Sequence, residues 1–135
     1  MKIFIADDSI LVRERLAALI SELQAVELVG QAGDVDETLG GIRQSRPDVV
    51  ILDIRMPGGN GIQVLEAIKT CDVKPAVIMF TAFSYPQYRQ KCLELGADYF
   101  LDKTMEFDRV AHVLEQLHGK IVAGSHQPQA EVETN

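Results

Sequence analysis

The chain alternates short, continuous apolar runs with longer segments in which apolar residues recur at helical spacing. The apolar runs predict strands at residues 3–6, 26–32, 49–52, 76–80 and 99–101. The segments between and after them predict helices near residues 10–23, 35–44, 62–69, 86–95 and 110–117. A strand without polar alternation is covered on both faces. The pattern therefore predicts an α/β fold of five βα units, a doubly wound parallel sheet between two helix layers.

Local signals mark where several of these elements end. Ser9 is a predicted N-cap of the first helix, Pro47 ends the second and Gly96 ends the fourth. Residues 56–61 are predicted to be a loop because of their proline and glycine content. From Gly119 the helical pattern stops and polar residues dominate. We therefore predict one domain over residues 1–118 and a flexible tail over residues 119–135.

Composition and charge say more about the possible partners of the chain than about its fold. The net charge of −7 argues against nucleic acid or an anionic membrane as a direct partner and is compatible with a bound cation. The two cysteines, Cys71 and Cys92, are predicted to be free thiols. The first apolar run ends at Asp7 and is too short for a signal peptide. No apolar run approaches the roughly 20 residues that span a bilayer. We expect a soluble, cytoplasmic protein.

Polar side chains follow four of the five predicted strands. In an open parallel sheet, ligands bind beyond the carboxyl ends of the strands. The residues predicted to meet at this edge are Asp7, Asp8, Asp53, Thr81, Asp102 and Lys103.

Each of these residues also has an ordinary structural explanation. Asp7 and Asp8 could serve only in a turn before Ser9, and Lys103 taken alone is typical of a solvated surface. Three carboxylates crowded together repel one another, however, and they are stable there only if a cation neutralises them. Oxygen ligands at a partly open site favour Mg²⁺. A carboxylate nucleophile, a metal, a hydroxyl and an ammonium are also the groups that phosphoryl transfer requires.

Taken together and in order, these motifs make residues 2–117 resemble a bacterial response-regulator receiver domain of the chemotaxis-regulator type. The motifs are Asp7-Asp8, Leu52-Asp53-Ile54-Arg55-Met56-Pro57 with Gly61, Thr81-Ala82, Gly96-Ala97, and Phe100 three residues before Lys103. The resemblance implies a flavodoxin-like three-layer sandwich with strand order 2-1-3-4-5.

The resemblance also implies a role for the residues around the acidic cluster. Asp53 would be the phosphoacceptor, which forms an aspartyl phosphate. Asp8 and Asp53 would bind Mg²⁺, with Asp7 helping directly or through water, and the backbone carbonyl of Arg55 would complete the protein ligands. Lys103 would pair with the phosphoryl oxygens.

Two further residues would transmit the signal. Thr81 would turn its hydroxyl toward the new phosphoryl group, and Phe100 would change rotamer as it does so. The output surface would consist of the fourth helix, the fifth strand and the fifth helix (α4-β5-α5), that is residues 84–95, Phe100 and residues 105–117. Two departures from the family pattern stand out: Thr104 follows Lys103 where the family usually has proline, and residues 58–60 are rich in glycine.

The resemblance implies a single-domain regulator of a two-component or phosphorelay system. A histidine kinase or phosphotransfer protein would donate the phosphoryl group, and a downstream effector protein would bind the phosphorylated form. Three alternatives compete with this interpretation: a fragment of a DNA-binding regulator, an aspartyl-phosphate phosphatase of the haloacid dehalogenase type, and a receiver that never accepts phosphate. The tail lacks a helix-turn-helix pattern, and a second Asp two residues after Asp7 or Asp8 is missing. The set Asp8, Asp53, Thr81 and Lys103 is complete, so we expect a phosphoacceptor that is not a turnover enzyme.

Overall fold

The computed structural model describes residues 1–123, in which parallel strands and helices alternate along the chain. The strands of the main sheet and the helices, in chain order, are β1 (Lys2–Ala6), α1 (Ile10–Ser21), β2 (Glu27–Ala32), α2 (Val35–Ser45), β3 (Val49–Leu52), α3 (Gly61–Lys69), β4 (Ala76–Thr81), α4 (Pro86–Glu94), β5 (Tyr99–Asp102) and α5 (Arg109–Val122). The strand order is β2-β1-β3-β4-β5. The predicted α/β architecture and strand order are confirmed.

Successive side chains along each strand enter two separate cores. On β3, Val50 and Leu52 pack on one side of the sheet, and Val49 and Ile51 pack on the other. The first core is completed by buried residues of α2, α3 and α4, and the second by buried residues of α1 and α5. The sheet is therefore covered on both faces, which explains why its strands contain continuous apolar runs.

The start of two helices near the carboxyl edge is fixed by capping. The Ser9 hydroxyl accepts a hydrogen bond from the Val12 N–H at 3.2 Å, as predicted for an N-cap. At α3, the Asn60 side chain accepts from the N–H groups of Ile62 and Gln63, and the Gln63 side chain accepts from the Asn60 N–H at 2.8 Å. This reciprocal capping box holds the segment that follows β3.

The predicted loop at residues 56–61 is more ordered than expected. Arg55–Met56 pairs antiparallel with Gly59–Asn60, and we call this pair the β3–α3 hairpin. Gly58 and Gly59 have φ angles of +86° and +144°, which glycine adopts far more readily than other residues. Glycine composition alone indicated a loop, and the left-handed backbone at these two residues is what allows the chain to reverse and pair.

The predicted boundary at residue 118 is also wrong by about one helical turn, because α5 continues to Val122. Ile121 lies four residues after Leu117 and packs against the same core, so the apolar side of the helix extends past Gly119. Residues 124–135, the rest of the predicted tail, lie outside the described residues. Within residues 1–123, none of the helices combines the length and the apolar content needed to cross a bilayer.

Candidate functional site

The carboxyl ends of β1, β3, β4 and β5 lie side by side because of the strand register. Ala6 is paired with Leu52, Leu52 with Met79, and Thr81 with Asp102. The Asp53 N–H donates to the Ala6 carbonyl at 2.9 Å, and the Lys103 N–H donates to the Thr81 carbonyl at 2.9 Å. The residues directly after these strands are thus held in adjacent positions by backbone hydrogen bonds.

Three carboxylates form an acidic cluster at this edge. Asp7, Asp8 and Asp53 each offer an oxygen, and these oxygens lie within 4.8 Å of one another. Asp7 and Asp53 are buried, at 2% and 4% exposure, whereas Asp8 is exposed. Buried like charges at this separation repel strongly, so the cluster needs a positive charge beside it.

Lys103 supplies part of that charge. Its Nζ lies 2.7 Å from Asp7 Oδ2 and 2.8 Å from Asp53 Oδ2, and the side chain is only 17% exposed. Among residues 1–123, the Asp8 carboxylate is found in no hydrogen bond or ion pair. One ammonium therefore serves two of the three carboxylates, and the cluster keeps a net negative charge that faces solvent through Asp8.

Burial and pairing shift the ionisation of this site. Burial raises the pKa of the Asp7 carboxyl, the negative charge of Asp53 adds to the increase, and hydrogen bonds from Lys103 and the Ser9 N–H oppose it. Burial alone would lower the pKa of the Lys103 ammonium. The hydrogen bonds and charges of Asp53 and Asp7 outweigh that effect, so the pKa of Lys103 lies above its usual value and the side chain is a cation at neutral pH.

The Asp53 carboxylate has a fixed orientation. Its Oδ1 accepts from the Ile54 N–H at 2.7 Å, and its Oδ2 accepts from Lys103 Nζ. Gly61 lies against the same segment, since a β-carbon there would stand 2.0 Å from the Asp53 carbonyl oxygen. The sequence placed Gly61 in the family motif, but this close contact with the Asp53 backbone was not predictable from composition.

The remaining predicted site residues lie around this cluster. Thr81 is fully buried, and its Oγ1 accepts from the Phe83 N–H at 3.1 Å. The exposed Arg55 places its guanidinium 4.6 Å from the centre of the Phe83 ring. Phe100 is buried at 2% exposure in the first core, with the Arg89 guanidinium 5.8 Å from its ring centre. The roles predicted for the Arg55 carbonyl, Thr81 and Phe100 stay predictions.

Sequence reasoning assigned no role to Asp102, which organises the turn after β5. Its Oδ1 accepts from the N–H groups of Thr104 and Met105 at 2.8 and 2.9 Å, and its Oδ2 accepts from the Ser84 hydroxyl. The hydrogen bond from Ser84 is the largest cause of the lowered pKa of the Asp102 carboxyl. The Lys103–Thr104 peptide is trans. Proline at residue 104 could not donate the hydrogen bond that Thr104 makes.

Comparison with known proteins matches most of this chain to one domain family. The family described as "Response regulator receiver domain" matches residues 3–115. The sensory transduction protein LytT of Bacillus cereus is 31% identical over 134 residues, covering 99% of this chain and 51% of LytT. The chain spans about half or less of the length of the curated relatives it matches.

Solved structures that resemble this chain have the same fold. The signal receiver domain of a putative response regulator NarL from Mycobacterium tuberculosis superposes with a TM-score of 0.78 at 33% identity, covering 87% of this chain and 96% of that domain. A CheX-CheY-BeF3-Mg²⁺ complex from Borrelia burgdorferi matches with a TM-score of 0.76 at 26% identity, covering 90% of this chain and 89% of the matched chain.

Proposed function

The chain belongs to the response regulator receiver domain family, and we propose that it accepts a phosphoryl group on Asp53 from a histidine kinase or phosphotransfer protein. The observation that carries this proposal is the position of Asp53. Its carboxylate is 4% exposed, is held by the Ile54 N–H on one oxygen, and contacts Lys103 Nζ at 2.8 Å on the other. This geometry supports a role for Asp53 as the nucleophile and for Lys103 as the cation that would pair with the incoming phosphoryl oxygens.

The acidic cluster fits Mg²⁺. Its donors are carboxylate oxygens, which Mg²⁺ prefers, and three of them lie within 4.8 Å of one another. Asp7, Asp8 and Asp53 would hold the ion, together with the backbone carbonyl of Arg55. Asp8 is exposed and lies outside the Lys103 ion pairs, so the solvent side of the cluster is open to a hydrated cation. When bound, Mg²⁺ supplies positive charge that offsets the repulsion between the carboxylates and the phosphoryl oxygens.

The transfer itself needs few protein groups. An Asp53 carboxylate oxygen forms a bond to phosphorus while the bond from phosphorus to the donor's imidazole nitrogen breaks, and the electron pair stays on that nitrogen. Lys103 keeps its charge at neutral pH because its pKa lies above the usual value. It can therefore move from the free carboxylate to the phosphoryl oxygens without losing a proton.

The output proposed is a change on the α4-β5-α5 face. A phosphoryl group adds a charge of about −1.5 to −2 beside β4 and β5. Thr81 ends β4 and continues into the loop before α4, and Phe100 lies on β5 beneath Arg89. Reorientation of Thr81 toward the phosphoryl group would free space that the Phe100 ring could fill, and the face around Arg89 would change shape. An effector protein that binds this face in one state only would then respond to phosphorylation.

Action without an attached output domain, a cytoplasmic location and the lack of turnover chemistry stay predictions. The net charge of −7 favours a protein effector over nucleic acid or membrane as the direct partner of this domain.

The test is phosphorylation in vitro. With Mg²⁺ and acetyl phosphate, the mass of the protein should increase by one phosphoryl group that is stable in acid and labile in base. Asp53→Asn should abolish the gain, because an amide is not a nucleophile of this kind. The matched control is Asp98→Asn, since Asp98 is a buried carboxylate on the α4–β5 connection, away from the acidic cluster. Equal labelling of the Asp53 variant and the wild type would exclude Asp53 as the acceptor.

A further inference from the structure

The turn after β5 carries Lys103 and is built almost entirely around Asp102. Beyond the two N–H groups bound by its carboxylate, its own N–H donates to Glu106 Oε1 at 2.8 Å, and its carbonyl accepts from the Glu106 N–H at 2.8 Å. Glu106 in turn pairs with Arg109 at the start of α5 at 2.8 Å. Residues 102–106 thus form a closed turn, and Lys103 projects from it toward the acidic cluster.

The same carboxylate connects this turn to a second loop. Asp102 Oδ2 accepts from the hydroxyl of Ser84, which lies three residues after Thr81 in the loop between β4 and α4. The two loops are also joined at their base, where the Lys103 N–H donates to the Thr81 carbonyl. The loop that carries Lys103 and the loop that follows Thr81 are therefore tied together at both their base and their outer edge.

We propose that Asp102 is a positioning residue for Lys103 and that its hydrogen bond with Ser84 fixes the turn from which Lys103 reaches Asp53. The consequence for phosphorylation rests on the proposed function of Asp53. The positional claim itself does not, because it concerns only how the Lys103 ammonium is held between Asp7 and Asp53. Residue 104 belongs to the same arrangement, since its N–H is one of the donors that Asp102 requires.

A structural role alone would predict a different pattern of effects. If Asp102 only capped the turn, its loss would lower stability and leave the Lys103 ammonium in place. If Asp102 positions Lys103, its loss lets the ammonium leave the two carboxylates, where contacts of 2.7 and 2.8 Å now hold it. The ammonium protons would then exchange faster with water. Misplacing the Lys103 ammonium by a fraction of an ångström relative to the incoming phosphoryl group would also slow phosphorylation by about tenfold.

The experiment compares Asp102→Ala with Asp102→Asn in two measurements. The first is the ¹⁵N–¹H signal of the Lys103 side chain, assigned by its loss in Lys103→Ala. The second is the rate of Asp53 phosphorylation by acetyl phosphate. We expect Asp102→Ala to weaken or shift the Lys103 signal and to slow labelling about tenfold. Asp102→Asn should restore both, because its amide oxygen accepts the two backbone N–H bonds and its amide N–H can donate to Ser84.

Each outcome decides the proposal. A folded Asp102→Ala protein with the wild-type Lys103 signal and rate would overturn it. If Asp102→Ala does not fold, Ser84→Ala removes only the outer of the two hydrogen bonds between the loops, and an unchanged Lys103 signal in that variant would overturn the role of the Ser84 contact. If the wild type takes up no phosphoryl group, the proposed function fails, while the Lys103 signal still decides whether Asp102 positions the ammonium.

Discussion

Gly61 touches the backbone of Asp53 so closely that a β-carbon at residue 61 would stand 2.0 Å from the Asp53 carbonyl oxygen and 2.9 Å from its carbonyl carbon. The Gly61 N–H also donates to the Ile54 carbonyl at 2.6 Å. The segment that carries the proposed phosphoacceptor is therefore packed directly against the first residue of α3. A side chain at residue 61 fits only if that segment moves.

Gly61→Ala should destabilise the protein by about 1–3 kcal/mol, the usual cost of overpacking, and should displace Asp53. The control is Gly40→Ala in α2, where an added β-carbon meets nothing within 4 Å. That change should stabilise the protein by about 0.5–1 kcal/mol, because alanine favours helix. Urea unfolding measures both, and equal stability of Gly61→Ala and wild type would contradict the packing described.

Asp8 is the carboxylate of the cluster that Lys103 does not pair with. Asp8→Ala should raise the melting temperature in the absence of Mg²⁺, because it removes a repulsive charge from beside Asp7 and Asp53. It should also remove most of the further increase that millimolar Mg²⁺ gives to the wild type. Thermal unfolding with and without Mg²⁺ measures both effects. A wild-type melting temperature that does not change when Mg²⁺ is added would argue against the metal site.

Substitutions near the end of α5 test whether the helix packs against the domain beyond residue 118. Ile121→Ala should destabilise the protein by about 1 kcal/mol, because the side chain is partly buried against the second core. Val122 is 71% exposed, so Val122→Ala should change stability by less than about 0.5 kcal/mol. Urea unfolding measures the free energy of unfolding of both variants. If the two substitutions change it equally, the packed domain ends at residue 118.

The strands and most helices were predictable because burial on both faces leaves continuous apolar runs such as residues 49–52. The carboxyl edge followed from topology, which places Asp7, Asp53 and Lys103 at adjacent strand ends. The β3–α3 hairpin was not predictable, because it depends on left-handed backbone at Gly58 and Gly59. Gly119 and the polar residues after it indicate the end of a helix, whereas Ile121 continues the apolar side of α5 as far as Val122.

Contacts made through backbone atoms were hidden from the sequence. Asp102 was placed at the right edge, yet its partners are mainly N–H groups, which every residue except proline possesses. The shared contact of Lys103 with Asp7 and Asp53 was likewise not fixed by spacing. It depends on how the turn after β5 directs the lysine side chain, and that is set by the three-dimensional arrangement of the loops.

The two cysteines should differ sharply in reactivity. Burial raises the pKa of the Cys92 thiol to about 11, whereas Cys71 is partly exposed. At pH 8, iodoacetamide should modify Cys71 while Cys92 reacts only on unfolding, since the thiolate is the nucleophile. Mass spectrometry of the wild type and Cys71→Ser measures this. Because the folded pKa is the higher one, this group's contribution to stability is present below about pH 9 and is lost as the pH rises toward 11.

Thr81→Ala should weaken the switch without preventing occupation of Asp53. Converting a 1:99 population into 99:1 takes about 5.5 kcal/mol, and one hydrogen bond to a charged group contributes about 1.5–3 kcal/mol. Loss of the Thr81 hydroxyl should therefore leave both forms populated when beryllofluoride, a phosphoryl mimic, is added. Amide chemical shifts across α4 and β5 should move only part of the way, while those near Asp53 change fully. Thr81→Ser keeps the hydroxyl and should respond like the wild type. Full shifts across α4 and Phe100 in Thr81→Ala would show that the signal leaves Asp53 by another route, with the β3–α3 hairpin as the next segment to examine.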